Sequence, residues 1–376
     1  MSTLNPTIFS FFSGSGFLDL GFENAGYDVV FVNEFHPPFM DAYKHSRKVL
    51  GIDPPRFDYA EGSIEDVDHK KIKTAMKLLK SEGRLTGFIG GPPCPDFSVA
   101  GKNKGRDGEN GKLSQSYINI IIEMMPDFFL FENVKGLYRT TKHREFFEHL
   151  KQQLASVGYI LHEKLINSIE YGAPQDRERI ILLGFKNKKL AKEFKWSGRK
   201  YQDRSAFNFS WPTTNLFEEN SLLAPPASIA EELTVEHWFE KNKVSEHINS
   251  KHVFTARAGL ARFMSVDEGD DSKKSYKRLH RWRYSPTAAY GNNEVHLHPY
   301  KPRRITVSEA LAIQSLPKEF ELPSYMTLSN MFKTVGNGVP YLAAFGIAKS
   351  ILEHLEIKYE NDSNEPCEGN IKPSKK

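Results

Sequence analysis

TIFSFFSGSGFLDLGFENAG, residues 7–26, sets the architecture. Its first six residues are an apolar run of buried-strand type, SGSG follows as a turn, and Phe17, Leu18, Gly21, Phe22 and Ala25 then recur at helical spacing. Strand, glycine turn and helix form the opening unit of a doubly wound α/β sheet. Gly14 and Gly16 let a backbone approach a ligand closely. A dinucleotide fingerprint would place its third glycine at Asp19, so the turn is poorly matched to a pyrophosphate.

Working outward, YDVVFVNEF (27–35) reads as a second strand ending in Asn33-Glu34-Phe35. Glu34 is placed to accept hydrogen bonds from ribose hydroxyls, and Phe35 to pack on a purine. An adenosine-bearing cofactor follows, with a nicotinamide dinucleotide and S-adenosylmethionine both open. Helical patterns at 37–50 and 67–82 bracket a short extended piece at 57–64, where Ser63 and Ile64 fall at a third strand end. A fourth strand, 86–89, runs into GGPPCPDFS (90–98). Pro92, Pro93 and Pro95 fix the backbone around Cys94, at the kind of strand end where open parallel sheets hold their chemistry. A thiol of pKa about 8.5 is mostly protonated at neutral pH, so a nucleophilic Cys94 needs a partner or an activated substrate. The segment beyond it interleaves glycines with Lys102, Lys104, Arg106 and Lys112 and has no apolar period, the composition of a phosphate-friendly loop.

A helix through Tyr117, Ile121 and Met125 leads to a fifth strand, DFFLF (127–131), followed by Glu132-Asn133-Val134. A carboxyl at the strand end beside Cys94, its pKa raised by burial, can lend a proton to a substrate that a thiolate attacks. After an amphipathic helix at 146–157 and an extended stretch at 159–167, QDRER (175–179) enters the strand IILLGF (180–185). Arg177 and Arg179 share one face of an extended chain, and their guanidiniums suit a carboxylate, a carbonyl or a phosphate.

Beyond residue 186 the strand and helix rhythm stops until about residue 302. At 376 residues the chain is long for one core. It divides into a catalytic and cofactor-binding domain at 1–186, an inserted domain at 187–302, a connecting segment at 303–332, a closing helix at 333–357 and a polar tail, expected to be disordered, at 358–376. Two cysteines give neither a disulfide framework nor a zinc spacing, and no metal is expected. No run reaches the length of a membrane span and no secretory signal is visible, which reads as a cytoplasmic or nuclear protein, cytoplasmic being the expectation. A monomer is expected. The net charge of +4 is unevenly placed: residues 269–304 hold nine basic and three acidic groups, while the remainder is slightly acidic. Such a cluster points to a polyanion, with Arg278, Arg281 and Arg283 beside Tyr276, Trp282 and Tyr284 as candidates for phosphates and base edges. Further on, Thr306 and Glu309 form a capping box, and GNGVP (336–340) precedes an apolar helix.

These pieces, in this order, resemble the DNA cytosine-5 methyltransferases of bacterial modification type: FSGSG, NEF, GGPPCPDFS, ENV, QDRER, the RRIT and IQSLP segment and GNGVP, spanning most of residues 7–356. The resemblance implies a Rossmann-like, S-adenosylmethionine-dependent methyltransferase sheet with a smaller, irregular target-recognition domain. It implies that Cys94 attacks carbon 6 of a cytosine flipped out of double-stranded DNA while Glu132 binds ring nitrogen 3 and the exocyclic amine. Arg177 and Arg179 would orient Glu132 and the base or its phosphate, in an order the sequence leaves open. Phe12, Gly14, Gly16, Glu34, Phe35, Ile64 and Asn337 would hold S-adenosylmethionine, and Ser98 and the basic loop would close over DNA. The chain would be the modification enzyme of a restriction-modification system whose endonuclease acts separately. Two departures stand out: Pro95 replaces a glutamine that fills the duplex gap in many relatives, and Ser63 replaces an acid that often binds the adenine amine. The rival readings are an RNA substrate on the same fold, a catalytically silent DNA-binding protein, and a nicotinamide oxidoreductase, which Asp19 disfavours.

Overall fold

The computed structural model describes residues 5–93, 109–256, 259–288, 290 and 294–364. Cys94, Ser98, Lys102, Lys104 and Arg106 lie outside the described residues, as does Pro95.

Seven strands form one sheet: β1 (Thr7–Phe11), β2 (Asp28–Glu34), β3 (Tyr59–Glu61), β4 (Thr86–Gly90), β5 (Phe128–Val134), β6 (Ile160–Asn167) and β7 (Glu178–Phe185). Their order is β3-β2-β1-β4-β5-β7-β6; β1 to β5 pair in parallel, and β7 runs antiparallel between β5 and β6. The helices α1 (Phe17–Ala25), α2 (Pro37–Leu50), α3 (His69–Ser81), α4 (Glu109–Met124) and α5 (Thr141–Ser156) connect the strands. The strands are apolar almost throughout because both faces are covered. Ile8, Val32, Phe128, Leu130, Ile181 and Leu183 pack on one face with residues of α1 and α2, whereas Phe9, Phe11, Phe88, Phe129, Phe131 and Leu182 pack on the other with α3, α4 and α5. Along β4, β5 and β7 that alternation is the period of two expected of a pleated chain; in β2 it slips at Val30 and Phe31, which share a face where the pairing with β1 shifts register.

The expected strands are all present, with one difference that matters. The fifth strand was expected to end at Phe131, yet β5 continues through Val134. Its pairing with β4 stops at Gly90 opposite Phe131, while pairing with β7 carries on to Val134 opposite Arg179. An antiparallel neighbour on one side thus holds Glu132 and Asn133 in the ladder beyond the point where the other neighbour has turned away.

After β7 the chain leaves the sheet. Short helices α6 (Lys188–Ala191), α7 (Val235–Lys241) and α8 (Leu260–Met264) are joined by long irregular stretches with isolated bridges such as Asn215 to Glu268 and Arg278 to Leu297. Order returns with α9 (Val307–Ile313), whose N-terminus carries the anticipated capping box, Thr306 with Glu309. α10 (Leu328–Asn337) and α11 (Tyr341–Asn364) complete the chain, and Ala343, Ile347 and Ile351 of α11 pack in the core on the face of the sheet that α1 covers. α11 continues into the polar run that begins at Lys358 and was expected to be disordered; residues 365–376 lie outside the described residues. Among the described residues no helix is long and apolar enough to cross a membrane.

Candidate active site

The carboxyl ends of β1, β2, β4 and β5 bring the sequence-predicted groups to one edge of the sheet, in two adjoining sets. The first is centred on Glu132. In the β5 to β7 register Glu132 faces Ile181 and Val134 faces Arg179, so Glu132 and Arg179 are diagonal neighbours on one face, within reach of long side chains. Arg179 Nε lies 2.9 Å from Glu132 Oε1. Glu132 is only 8% exposed, and burial raises its pKa above the ordinary carboxylate value against the opposing pull of Arg179 and Arg177. Arg179 is thus the residue that orients the carboxylate. Arg177 does something else: its guanidinium donates to the carbonyls of Ala288 at 2.9 Å and Gly336 at 2.7 Å, tying α10 to a distant segment. Its Nε is buried without a partner among the described residues.

The start of the cysteine-bearing loop packs closely against this carboxylate. A Cβ built on Gly91 would lie 2.6 Å from Glu132 Oε2, so the first glycine after β4 is there because any side chain would displace the acid. Asn133 Nδ2 donates to the carbonyl of Pro92 at 3.4 Å. The Glu-Asn-Val and Gly-Gly-Pro-Pro motifs therefore meet, two residues before Cys94.

The second set surrounds the first glycine turn. Phe12, Gly14 and Gly16 all have positive φ (54°, 57° and 80°), a strained left-handed path for Phe12 and a free one for the glycines. Glu34 is buried at the end of β2, where its Oε2 accepts from Gly14 N–H and its Oε1 from His36 N–H, each at 2.8 Å. Burial raises its pKa while those backbone donors and the charge of Lys333 lower it. Phe35, next along, is 70% exposed, an uncommon position for a bare aromatic face. A Cβ on Gly14 would meet none of the described residues within 4 Å, so the turn opens on free space, and beside it Ser13 Oγ is buried with no partner among the described residues. Ile64 lies in the core at the start of a short 3-10 turn, Ser63 caps that turn by accepting from Glu65 N–H, and Asn337 ends α10 with its side chain exposed. An orphaned hydroxyl, a carboxylate and an exposed aromatic around an open glycine turn fit a nucleoside-bearing cofactor.

The sequence model of the C-5 cytosine-specific DNA methylases matches residues 7–353. The chain belongs to this family. The methylase is 60% identical to the Type II methyltransferase M.NmeDI of Neisseria meningitidis serogroup C, across 96% of this chain and 86% of that protein. It is 31% identical to M.MthTI of Methanothermobacter thermautotrophicus, across 94% of this chain and 99% of the other. Among solved structures, a prophage-encoded DNA modification methyltransferase of E. coli superposes with a TM-score of 0.67 at 21% identity, covering 94% of this chain and all of that one. Spodoptera frugiperda DNMT2 superposes at 0.56 and 17% identity, again over 94% of this chain and all of that one. The fold is thus the α/β methyltransferase sheet.

The methylase uses three arginines differently from the sequence-based expectation. Arg278 is fully buried, and its guanidinium donates to the carbonyls of Val266, Phe263, His298 and Lys301 while lying 3.9 Å from the centre of the Phe217 ring. Arg281 is also buried, in a fork on Glu268 at 2.8–2.9 Å, with further bonds to Ser221. Arg283 donates to the carbonyls of Pro212, Thr213 and Gly269. Their donors are spent on the protein, in a region whose carbonyls have few ladder partners. The exposed cations of the basic segment are Lys273 and Lys274.

Sequence reasoning also missed the brace beneath the glycine turn. Asp19, read as a gap in a fingerprint, is fully buried and accepts from Ser10 Oγ at 2.9 Å and Tyr43 Oη at 3.0 Å; burial pushes its pKa up to about 6. Arg47 stacks on Tyr43, pairs with Glu23 at 2.9 Å and donates to the Gly16 carbonyl at 2.8 Å. No spacing rule announces this group, since its members come from one strand and two helices.

Proposed function

We propose that this methylase acts on one cytosine extracted from double-stranded DNA, through a covalent bond between Cys94 and carbon 6 of the ring, with S-adenosylmethionine as methyl donor. The observation that carries the reading is the contact of Glu132 with Gly91, which sets a buried, Arg179-oriented carboxyl at the foot of the Cys94 loop. The cofactor supplies an electrophilic methyl group. The Gly14 turn, Glu34, Phe35 and Asn337 would hold it, Glu34 through ribose hydroxyls and Phe35 against the purine. The Cys94 sulfur forms a bond to carbon 6, and the ring electron pair moves toward nitrogen 3 and carbon 5. Glu132, whose pKa burial raises, donates to nitrogen 3 and offsets the charge that develops there. Carbon 5 is then nucleophilic and is methylated. Loss of the carbon-5 proton to a base restores the double bond and expels the Cys94 thiolate, while nitrogen 3 returns its proton to Glu132. Ser98, Lys102, Lys104 and Arg106 would close over the DNA, and residues 187–302 would choose the sequence. The names of M.NmeDI and M.MthTI, both Type II methyltransferases, support a modification role beside a separate restriction endonuclease.

Duplex DNA carrying 5-fluorocytosine at the methylated position tests the covalent step, because fluorine at carbon 5 cannot leave as a proton does. A protein–DNA adduct stable in denaturing gels is expected with the native chain and S-adenosylmethionine, and none with Cys94→Ala. Absence of the first adduct, or its persistence in the variant, overturns the mechanism.

A further inference from the structure

One basic residue has no role in the mechanism above and stands beside the glycine turn and Glu34 that would hold the cofactor. Lys333 and Asn337 are one turn apart on α10, hence on one side of the helix, and both are exposed. The helix is pinned to the glycine turn between them: Ser15 Oγ and Thr334 Oγ1 are 2.6 Å apart. Across the opening, Lys333 Nζ lies 5.8 Å from the centre of the Phe39 ring, at the start of α2 and just beyond Glu34, Phe35 and His36. Its charge is felt there, holding Glu34 toward ionisation and His36 toward neutrality. The other cations near the turn are committed, Arg47 to Glu23 and Lys44 to Glu61. Among the described residues Lys333 has no carboxylate within ion-pair distance.

We infer that Lys333 binds the carboxylate of the methionine half of S-adenosylmethionine, beside Asn337. This rests on the cofactor reading given above. The cofactor's nucleoside and sulfonium are neutral and cationic, so its single anion is the group that needs a cation, and a flexible, exposed ammonium on the wall facing Glu34 can reach it as a point charge. The competing role for Lys333 is its cation–π contact with Phe39 across the α10 to α2 junction, which would involve no ligand.

Calorimetry on the DNA-free protein separates the two. With native protein, Lys333→Gln and Lys333→Arg, the ligands are S-adenosylmethionine and its decarboxylated analogue, which keeps the nucleoside, sulfonium and amine. Lys333→Gln is expected to weaken S-adenosylmethionine about tenfold, as for loss of one charge-assisted bond, and to leave the decarboxylated analogue within about twofold. Lys333→Arg should retain most of the affinity. Equal losses for both ligands, or no loss for either, overturn the inference, and in the first case a lowered thermal midpoint of the free protein identifies the structural role. Native protein that binds neither ligand would instead sink the cofactor reading itself.

Discussion

The open edge of the sheet and the irregular region after β7 both carry buried charge, but they put it to opposite uses. At the sheet edge strand ladders satisfy most of the backbone and Arg177, Arg47 and Glu34 supply the few remaining partners, so Glu132, Glu34 and Phe35 are held in place while keeping capacity for a ligand. In the irregular region few carbonyls have a ladder partner, and side chains must supply the missing donors: Arg278 alone serves four of them. Where the main chain looks after itself, charged side chains are available for chemistry; where it does not, they are structural.

The largest effect that could break this contrast is the loss of Arg278. Arg278→Ala removes donors from four carbonyls, two of them in buried bonds, and the cation from the Phe217 ring, which should cost on the order of 4 kcal/mol of stability. Denaturant titration followed by the fluorescence of Trp211, Trp238 and Trp282 reads it out, since all three lie in or near this region. If the variant unfolds like the native chain yet binds DNA poorly, Arg278 is a DNA contact after all and the contrast fails.

Acid should separate the two regions next. His280 and His296 are buried in the irregular region, and burial lowers their pKa values to about 4 and about 3. Glu268 opposes the shift at His280 while Arg283 and Arg281 add to it, and Lys277 adds to that at His296. A histidine whose pKa is lower folded than unfolded binds more protons when unfolded, so its contribution is present above pH 6.5 and is lost as pH falls toward the folded value. For His280 that is about 3 kcal/mol between pH 6.5 and 4. Asp19 has the opposite sign. Its raised pKa favours the folded state as pH falls from about 6 toward the ordinary carboxylate range, so the brace under the glycine turn gains where the histidine-rich region loses. Hydrogen exchange at pH 5 and pH 7.5 should show protection lost first at residues 278–298 and retained in β1 and α1; uniform loss would deny the distinction.

The same contrast explains what was legible in the sequence. Strand and helix announce themselves by period, and the motifs at strand ends are contiguous, so the sheet, Glu132, Glu34 and the glycine turn could be read in advance. Arg177 and Arg179 could be placed on one face but not told apart, because the partners that divide them, Glu132 on one side and the carbonyls of Ala288 and Gly336 on the other, come from three distant segments. Arg278, Arg281 and Arg283 were misread for a related reason. A basic cluster has the same composition whether its guanidiniums face phosphates or backbone carbonyls, and only tertiary structure shows that Glu268 and eight backbone carbonyls are waiting for them. Asp19 was judged by a motif it does not belong to, while its actual partners lie nine and twenty-four positions away along the chain.

The smallest effect sharpens the contrast most, because it separates binding from folding. Phe35 exposes 70% of its surface and so contributes little burial to the folded state, whereas a purine stacked on its ring would cover that face. Phe35→Ala should therefore leave the thermal midpoint of the free protein within a degree or two, and weaken S-adenosylmethionine by roughly tenfold, at the low end of the 1–3 kcal/mol typical of a base stacked on an aromatic side chain. The behaviour expected of Arg278→Ala is the reverse, with stability lost first and ligand affinity following only through unfolding. If Phe35→Ala instead destabilises the free protein while the remaining folded fraction binds the cofactor with native affinity, the exposed ring supports the fold, and the purine must rest elsewhere along the edge between β2 and β3.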